Sequence, residues 1–234
     1  MKFAIILSTY QRNDGRTPVL IKRTLNSILN QTHTDYKIFL IGDRYENNDE
    51  FEQICNDFVE KEKLYYENLD SAVERDFFKN KLDVWKFGGV NACNYAIDLA
   101  VKEGLRYIVK IDHDDFWEES HLKTINDCIE STSCAFVCTK SLYRNSVLPN
   151  INSDIKYINF LPQPETLVHS SICIDLLQIP IRYRTLGDEK CGNQCADGCL
   201  YLEISEIVNN NNLKSILINE ITCTVESDGF FKNN

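Results

Sequence analysis

Tyr107-Ile108-Val109-Lys110-Ile111-Asp112-His113-Asp114-Asp115-Phe116-Trp117 is mostly apolar and partly β-branched in its first half, then carries three carboxylates within four residues. The first half predicts a buried strand, and the second the loop at its carboxyl end. Like charges this close repel, so a fold that keeps them together supplies a counter-charge, most simply a divalent cation with oxygen ligands. The competing reading is a solvated acidic turn that caps the following helix. The surrounding pattern favours the first, because open α/β sheets bind ligands beyond the carboxyl ends of their strands.

Working outward, Phe3 to Leu7 reads as a central parallel strand that opens at Ser8-Thr9-Tyr10 into a ligand-binding loop. Thr17-Pro18 reads as an N-cap with proline at the first helical position, and apolar residues then recur at helical spacing from Val19 to Leu29. A second strand, Tyr36 to Ile41, ends in Gly42-Asp43, where Asp43 either faces a ligand or caps the next helix. A helix over Asn47–Val59 and a short strand over Lys63–Tyr66 follow, and 68–86 has no clear period and reads as a variable insert. Val90–Val101 predicts a helix ending at Gly104 as its C′ residue. Beyond the acidic run, Glu118–Ile129 predicts a helix and Ala135–Thr139 a strand. Such alternation implies an α/β fold with a mostly parallel sheet, right-handed crossovers and helices on its faces.

The remaining chain is more mixed: short extended pieces such as Ile155–Phe160, an alternating run Leu167–Ile174, a loop over 182–194, a helix over Asp197–Val208 and a strand over Leu213–Val225. With no internal repeat, we expect one domain over 1–234, a Rossmann-like nucleotide-binding half at 1–117 and a smaller mixed half at 118–234.

A formal charge of −10 argues against nucleic acid or an anionic membrane as partner, and means that an anionic small molecule needs a local cation. The ten cysteines are mostly scattered singly in apolar runs, as small buried hydrophobes of a reducing compartment would be, so a cytoplasmic location is expected. Cys191, Cys195 and Cys199 stand at four-residue spacing, but zinc asks for closer loop spacing and a fourth ligand that no nearby His supplies. The opening apolar run is too short for a signal peptide, and no segment has the eighteen or so apolar residues of a membrane span.

Four stretches together resemble the inverting family 2 glycosyltransferases of the GT-A fold. Phe3–Arg12 (FAIILSTYQR) is similar to the family's opening strand and Thr-Tyr-Asn-Arg turn, and Thr24–Gln31 (TLNSILNQ) followed by Tyr36–Asp43 (YKIFLIGD) to its Ser-Ile-x-x-Gln, strand, Asp arrangement. Ala92–Ala100 with Tyr107–Trp117 is similar to its Asn-x-Ala-Ile and Asp-x-Asp-Asp-x-Trp block, and His169–Ile174 with Asp197 and Leu200 to its acceptor half more loosely.

The resemblance implies a nucleotide-diphosphate sugar donor, with UDP-sugar favoured, a divalent cation (Mn²⁺ or Mg²⁺), and transfer with inversion to a hydroxyl of a glycan, protein or lipid. By it, Ser8 and Tyr10 border the nucleobase, Asp43 accepts a hydrogen bond from the base, and Asp112 meets the ribose or the metal shell. Asp114 binds the metal, Asp115 supports the loop, and Asp197 is the general base. His169 is either a satisfied structural histidine or a group near acceptor or diphosphate.

The chemistry asks for the same set: a cation to meet charge on the leaving diphosphate, and a carboxylate on the opposite face to take the acceptor's proton. The chain departs from the family in having Ala196-Asp197 where Glu-Asp is usual, and in lacking the Trp and Arg that commonly follow. A binding module or partner subunit without catalysis is the alternative, and the short second half leaves room for a homodimer to complete the acceptor site.

Overall fold

The computed structural model describes residues 1–185, 188–190 and 193–225. Strands β1 (Phe3–Thr9), β2 (Tyr36–Gly42), β3 (Leu64–Asn68) and β4 (Tyr107–Asp112) lie in the order β3-β2-β1-β4, all parallel. The parallel order stops there. Strand β9 (Ile172–Asp175) enters antiparallel between β4 and β6 (Phe136–Tyr143), and β10 (Ser215–Val225) then runs parallel to β6. With short antiparallel pieces β5 (Phe116–Trp117), β7 (Ser146–Leu148) and β8 (Tyr157–Asn159), the described residues form one ten-stranded mixed sheet.

Alternation along the strands divides the core into two layers. Ile5, Leu7, Val109 and Ile111 meet helices α1 (Thr17–Leu29), α2 (Asn48–Asn56) and α6 (His121–Thr132) on one face. Ala4, Ile6 and Ile108 meet α5 (Val90–Lys102) and α7 (Ala196–Asn210) on the other. By the same alternation Lys110 and Asp112 belong to the α5/α7 face. Parallel register sets Ser8 opposite Asp112 and Thr9 opposite Gly42, so the ends of three strands come together. Gly42 is required there, since a Cβ would lie 2.5 Å from Asn68 Oδ1, which accepts the Tyr45 amide.

Two expectations are corrected. Thr17 is not the N-cap of α1, a place held by Arg16. Its hydroxyl instead donates to the Tyr10 carbonyl and accepts the Arg12 amide, closing the loop after β1. The aperiodic insert contains two helices, α3 (Val73–Phe77) and α4 (Lys81–Phe87), of five and seven residues, too short to show a period. Gly104, with φ +74°, follows α5 as the expected C′ residue, while the helix read over Asn47–Val59 is α2, with Asn47 as its N-cap and its end at Asn56. Seven of the free cysteines are buried, Cys195 is half-buried, Cys199 is disulfide-bonded, and Cys191 lies outside the described residues. No helix among the described residues is long and apolar enough to cross a membrane.

His121 opens α6 fully buried, stacked on Trp117 at 4.4 Å with Nδ1 2.7 Å from Thr222 Oγ. Burial drops its pKa to about 3, so below pH 6.5 the unfolded chain takes up a proton that the folded chain refuses. This contribution to stability is complete above the unfolded value and is lost as pH falls, at up to about 1.4 kcal/mol per pH unit. Unfolding free energy measured in urea from pH 7 to 4.5 should fall less steeply for His121→Gln than for the parent. Parallel profiles would assign the acid sensitivity elsewhere.

Candidate active site

A cleft of about 340 Å³ opens at the carboxyl ends of β1, β2 and β4, and Ser8, Tyr10, Asp43, Asp112, Asp114 and Asp197 all line it. The acids come from three separate places in the chain, and each has a distinct partner.

Asp43, one residue past β2 and 1% exposed, donates its amide to the Thr9 carbonyl and so ties the ends of β1 and β2 together. Arg75 of α3 donates Nε to Asp43 Oδ2 at 2.7 Å, whereas the buried Oδ1 has no hydrogen-bond partner among the described residues. Burial pushes the carboxyl above the usual carboxylate range, against the pull of Arg75. Arg75 also stands 5.0 Å from the ring centre of Tyr10, which meets His113 edge-on at 5.1 Å. Ser8 Oγ accepts a weak hydrogen bond from Cys93 Sγ at 3.3 Å.

Asp112 receives Lys110 Nζ at 2.6 Å. Burial raises its pKa, but Lys110 foremost and His169 next outweigh that and bring it down to about 2. Lys110 itself is 4% exposed; burial alone would depress it, yet Asp112 and the other nearby anions hold it above its ordinary value. Arg12 Nη1 reaches Asp114 Oδ2 at 3.1 Å, and Arg23 donates to the Asp114 carbonyl. Asp115 points away from the metal role: it is 3% exposed and accepts Ser170 Oγ at 2.5 Å. That same hydroxyl accepts the Asp112 amide, and the Ser170 carbonyl takes the Trp117 indole N–H.

One face of α1 clamps the acidic loop from below. Thr24 Oγ lies 2.9 Å from the His113 carbonyl and 2.6 Å from that of Asp115. Ser27 Oγ accepts the Trp117 amide, and Gln31 donates to the Glu118 carbonyl while accepting the Leu122 amide. The Thr-x-x-Ser-x-x-x-Gln spacing thus sets Thr24 and Ser27 on one face of α1 and Gln31 just past its end, all fixing the backbone that follows β4.

Asp197 sits in the first turn of α7, half-exposed to the cleft, with Oδ1 3.3 Å from His169 Nδ1. His169 is 7% exposed, between the hydroxyls of Tyr183 at Nε2 and Tyr201 at Nδ1. Sequence reasoning assigned no part to Arg75, Arg12, Lys110, Tyr183 or Tyr201. Arg12 left a mark as the arginine of the turn after β1, and Lys110 as a charge inside an otherwise apolar strand.

A divalent cation fits this donor set in one form. Among the described residues no three His, Cys, Asp or Glu side chains converge on a point. Mg²⁺ and Mn²⁺ at nucleotide sites use one or two carboxylates completed by phosphate oxygens and water, which is what Asp114 and Asp112 at the cleft offer.

The model of Glycosyl transferase family 2 matches residues 4–193. A protein of Acanthamoeba polyphaga mimivirus described as uncharacterized glycosyltransferase R139 is 35% identical over 244 residues, covering 100% of this chain and 97% of its own. The fold is similar to that of S. aureus TarS 1–349 in complex with UDP, at TM-score 0.67 and 14% identity, over 96% of this chain and 60% of that one. It is also similar to the mannosyltransferase PcManGT of Pyrobaculum calidifontis in complex with GDP-Man and Mn²⁺, at TM-score 0.62 and 13% identity, over 97% and 58%. The chain therefore spans about three fifths of the length of these solved structures.

Replacing Thr24 by Val keeps its shape and leaves the carbonyls of His113 and Asp115 without that hydroxyl. We expect a loss of about 1–2 kcal/mol in unfolding free energy, read by chemical denaturation. An unchanged midpoint would show that the loop holds its place without α1.

Proposed function

The chain belongs to glycosyl transferase family 2 and is a glycosyltransferase of the GT-A fold, and on that premise we propose that it transfers a sugar from a UDP-sugar to an acceptor hydroxyl with inversion. The reading rests above all on one observation: a single cleft takes in Asp43 after β2, Asp112 and Asp114 from the end of β4, and Asp197 at the head of α7. Glycan, protein or lipid hydroxyls all satisfy the chemistry on the acceptor side.

In this reading the nucleobase lies against Tyr10, and the free Oδ1 of Asp43 accepts its N–H. A buried acceptor left unpaired costs about 1–3 kcal/mol, which a ligand donor relieves. Uracil presents one imide N–H between two carbonyls, and so matches one free carboxylate oxygen with the Arg75 guanidinium beside it. Guanine presents two donors side by side and calls for both oxygens, of which Arg75 already holds one. That difference favours UDP over GDP.

Asp114, with Asp112 close by in the same loop, would hold the divalent cation. When bound, the cation neutralises charge that develops on the departing diphosphate. Arg12 and Lys110 add fixed positive charge at the same end of the cleft. The acceptor hydroxyl attacks the anomeric carbon from the face opposite the diphosphate, and Asp197 takes its proton as the new bond forms. The bond to the diphosphate breaks, and the configuration inverts. A binding-only role is not favoured, because an acid stands at position 197 and opens to the cleft.

Calorimetric titration should show UDP binding that Mn²⁺ strengthens, with GDP weaker by about tenfold or more, as expected for one mismatched charged hydrogen bond. Asp114→Ala should abolish the metal effect, and Asp197→Asn should spare UDP binding while stopping turnover. Metal-independent nucleotide binding, or parental turnover by the Asn variant, would remove the corresponding assignment.

Asp43→Asn places an amide N–H₂ or a weaker acceptor where Oδ1 stands. It should weaken UDP binding by about tenfold or more, the scale of a hydrogen bond to a charged group, while leaving the Mn²⁺ dependence intact. Unchanged UDP affinity would take the base-reading role away from Asp43.

A further inference from the structure

His169 is buried beside the reacting groups, yet nothing in the transfer step described above uses it. It opens the 3₁₀ turn His169–Ser171 that leads into β9. Its ring meets three side chains: Tyr183 OH at Nε2, and both Tyr201 OH (3.1 Å) and Asp197 Oδ1 (3.3 Å) at Nδ1. Lys110 and Asp112 face it from β4.

A neutral imidazole has one N–H, and which nitrogen carries it decides what the ring can do. Burial lowers the pKa of His169, with Asp197 pulling the other way, so the ring is neutral at pH 7. Burial likewise pushes the Tyr183 phenol well above its ordinary value, and the hydroxyl keeps its proton. Among the described residues Nε2 is the hydrogen-bond partner of that hydroxyl, so Tyr183 donates to Nε2 and the ring proton resides on Nδ1. Asp197 demands the same arrangement, since a bare Nδ1 lone pair 3.3 Å from a carboxylate oxygen is repulsive, whereas an N–H is attractive.

We propose that His169 is the positioning residue of Asp197, its Nδ1–H shared between the Tyr201 hydroxyl and the carboxylate that receives the acceptor's proton, in a tautomer set by Tyr183. The inference rests on Asp197 being the base.

The support extends back through the chain. Asn94 of α5 donates Nδ2 to the Tyr183 carbonyl and accepts the Tyr183 amide, both at 2.9 Å, which fixes the segment that carries the phenol. Tyr201 stands one turn after Asp197 on α7 and closes the other side of the ring. Asp197 therefore stands 3.3 Å from a neutral N–H that it shares with the Tyr201 hydroxyl, a contact that orients the carboxylate while leaving it able to accept a proton.

The tautomer can be read directly. The chain has four histidines, and ¹⁵N–¹H correlation spectra of ring-labelled protein, with a His169 variant for assignment, distinguish a protonated from a bare ring nitrogen. We expect His169 protonated at Nδ1 and bare at Nε2, and Tyr183→Phe, which leaves Asp197 alone in favouring Nδ1, to raise the share of rings protonated at Nε2. A parent ring protonated at Nε2 would overturn the proposal.

Turnover gives the second arm, with Mn²⁺-dependent UDP release from UDP-N-acetylglucosamine as probe. Tyr183→Phe and His169→Gln should lower kcat by about tenfold or more, as misplaced catalytic groups do, with the donor KM unchanged. His169→Asn, whose amide N–H falls near the place of Nδ1, should recover most of the loss. UDP titration identifies the variants that fold. If Asp197→Asn stops turnover while Tyr183→Phe and His169→Gln keep the parental kcat, the positioning role fails and the base assignment stands. If Asp197→Asn turns over as the parent does, the base assignment itself fails.

Discussion

Three carboxylates at the end of one buried strand repel one another, and most polar contacts around the cleft answer that repulsion. Lys110 meets Asp112, Arg12 meets Asp114, and Ser170 meets Asp115, while Thr24, Ser27, Gln31 and Arg23 hold the backbone that carries them. A buried lysine is costly unless paired. Its place in β4 follows from alternation, which sets positions 108, 110 and 112 on one face, so the ammonium emerges beside the first acid of the loop. The acids are thus held in place by the chain's own residues, so the loop does not depend on a ligand to assemble it.

The direction of β9 matters as much as its place. In a wholly parallel sheet the segment before a strand lies at the amino-terminal edge, far from the ligand. Because β9 runs antiparallel to β4, with Val109 opposite Cys173 and Tyr107 opposite Asp175, the turn that precedes it arrives at the carboxyl end. His169 and Ser170 are delivered beside Asp112 in this way, although more than fifty residues separate them in sequence. One reversed strand in the middle of the sheet therefore joins the two halves of the site.

The parts that were legible in the sequence are those written in local pattern. Apolar runs located the strands, Gly104 marked the end of α5, and the charge cluster after Ile111 pointed to the cleft. The Thr24–Gln31 stripe was visible as a motif, but its purpose appears only when its three polar side chains meet the loop after β4. Arg75 was hidden because it belongs to a five-residue helix, which leaves no periodic trace, and because its partner lies 32 positions earlier. The sense of β9 was hidden because four fully buried residues read the same in either direction. Thr17 misled because a residue suited to capping found a tertiary partner first, which is how long-range contacts override local preference.

An acidic chain proposed to bind a diphosphate has to arrange its charge locally, and here it does so acid by acid. Asp43 has Arg75, Asp112 has Lys110 and Asp114 has Arg12, each at hydrogen-bond distance. Each of these acids thus faces a cation despite the formal charge of −10, although Arg12 is shared between Asp114 and Asp14. Asp197 breaks the pattern, since the group beside it is an imidazole that burial keeps uncharged. A guanidinium in that place would stabilise the carboxylate as an anion and oppose its protonation, whereas a neutral N–H orients it at far smaller electrostatic cost. The charges of the cleft thus divide along the line that the proposed transfer requires: fixed ion pairs at the end assigned to the diphosphate, and a neutral partner beside the acid assigned to the proton.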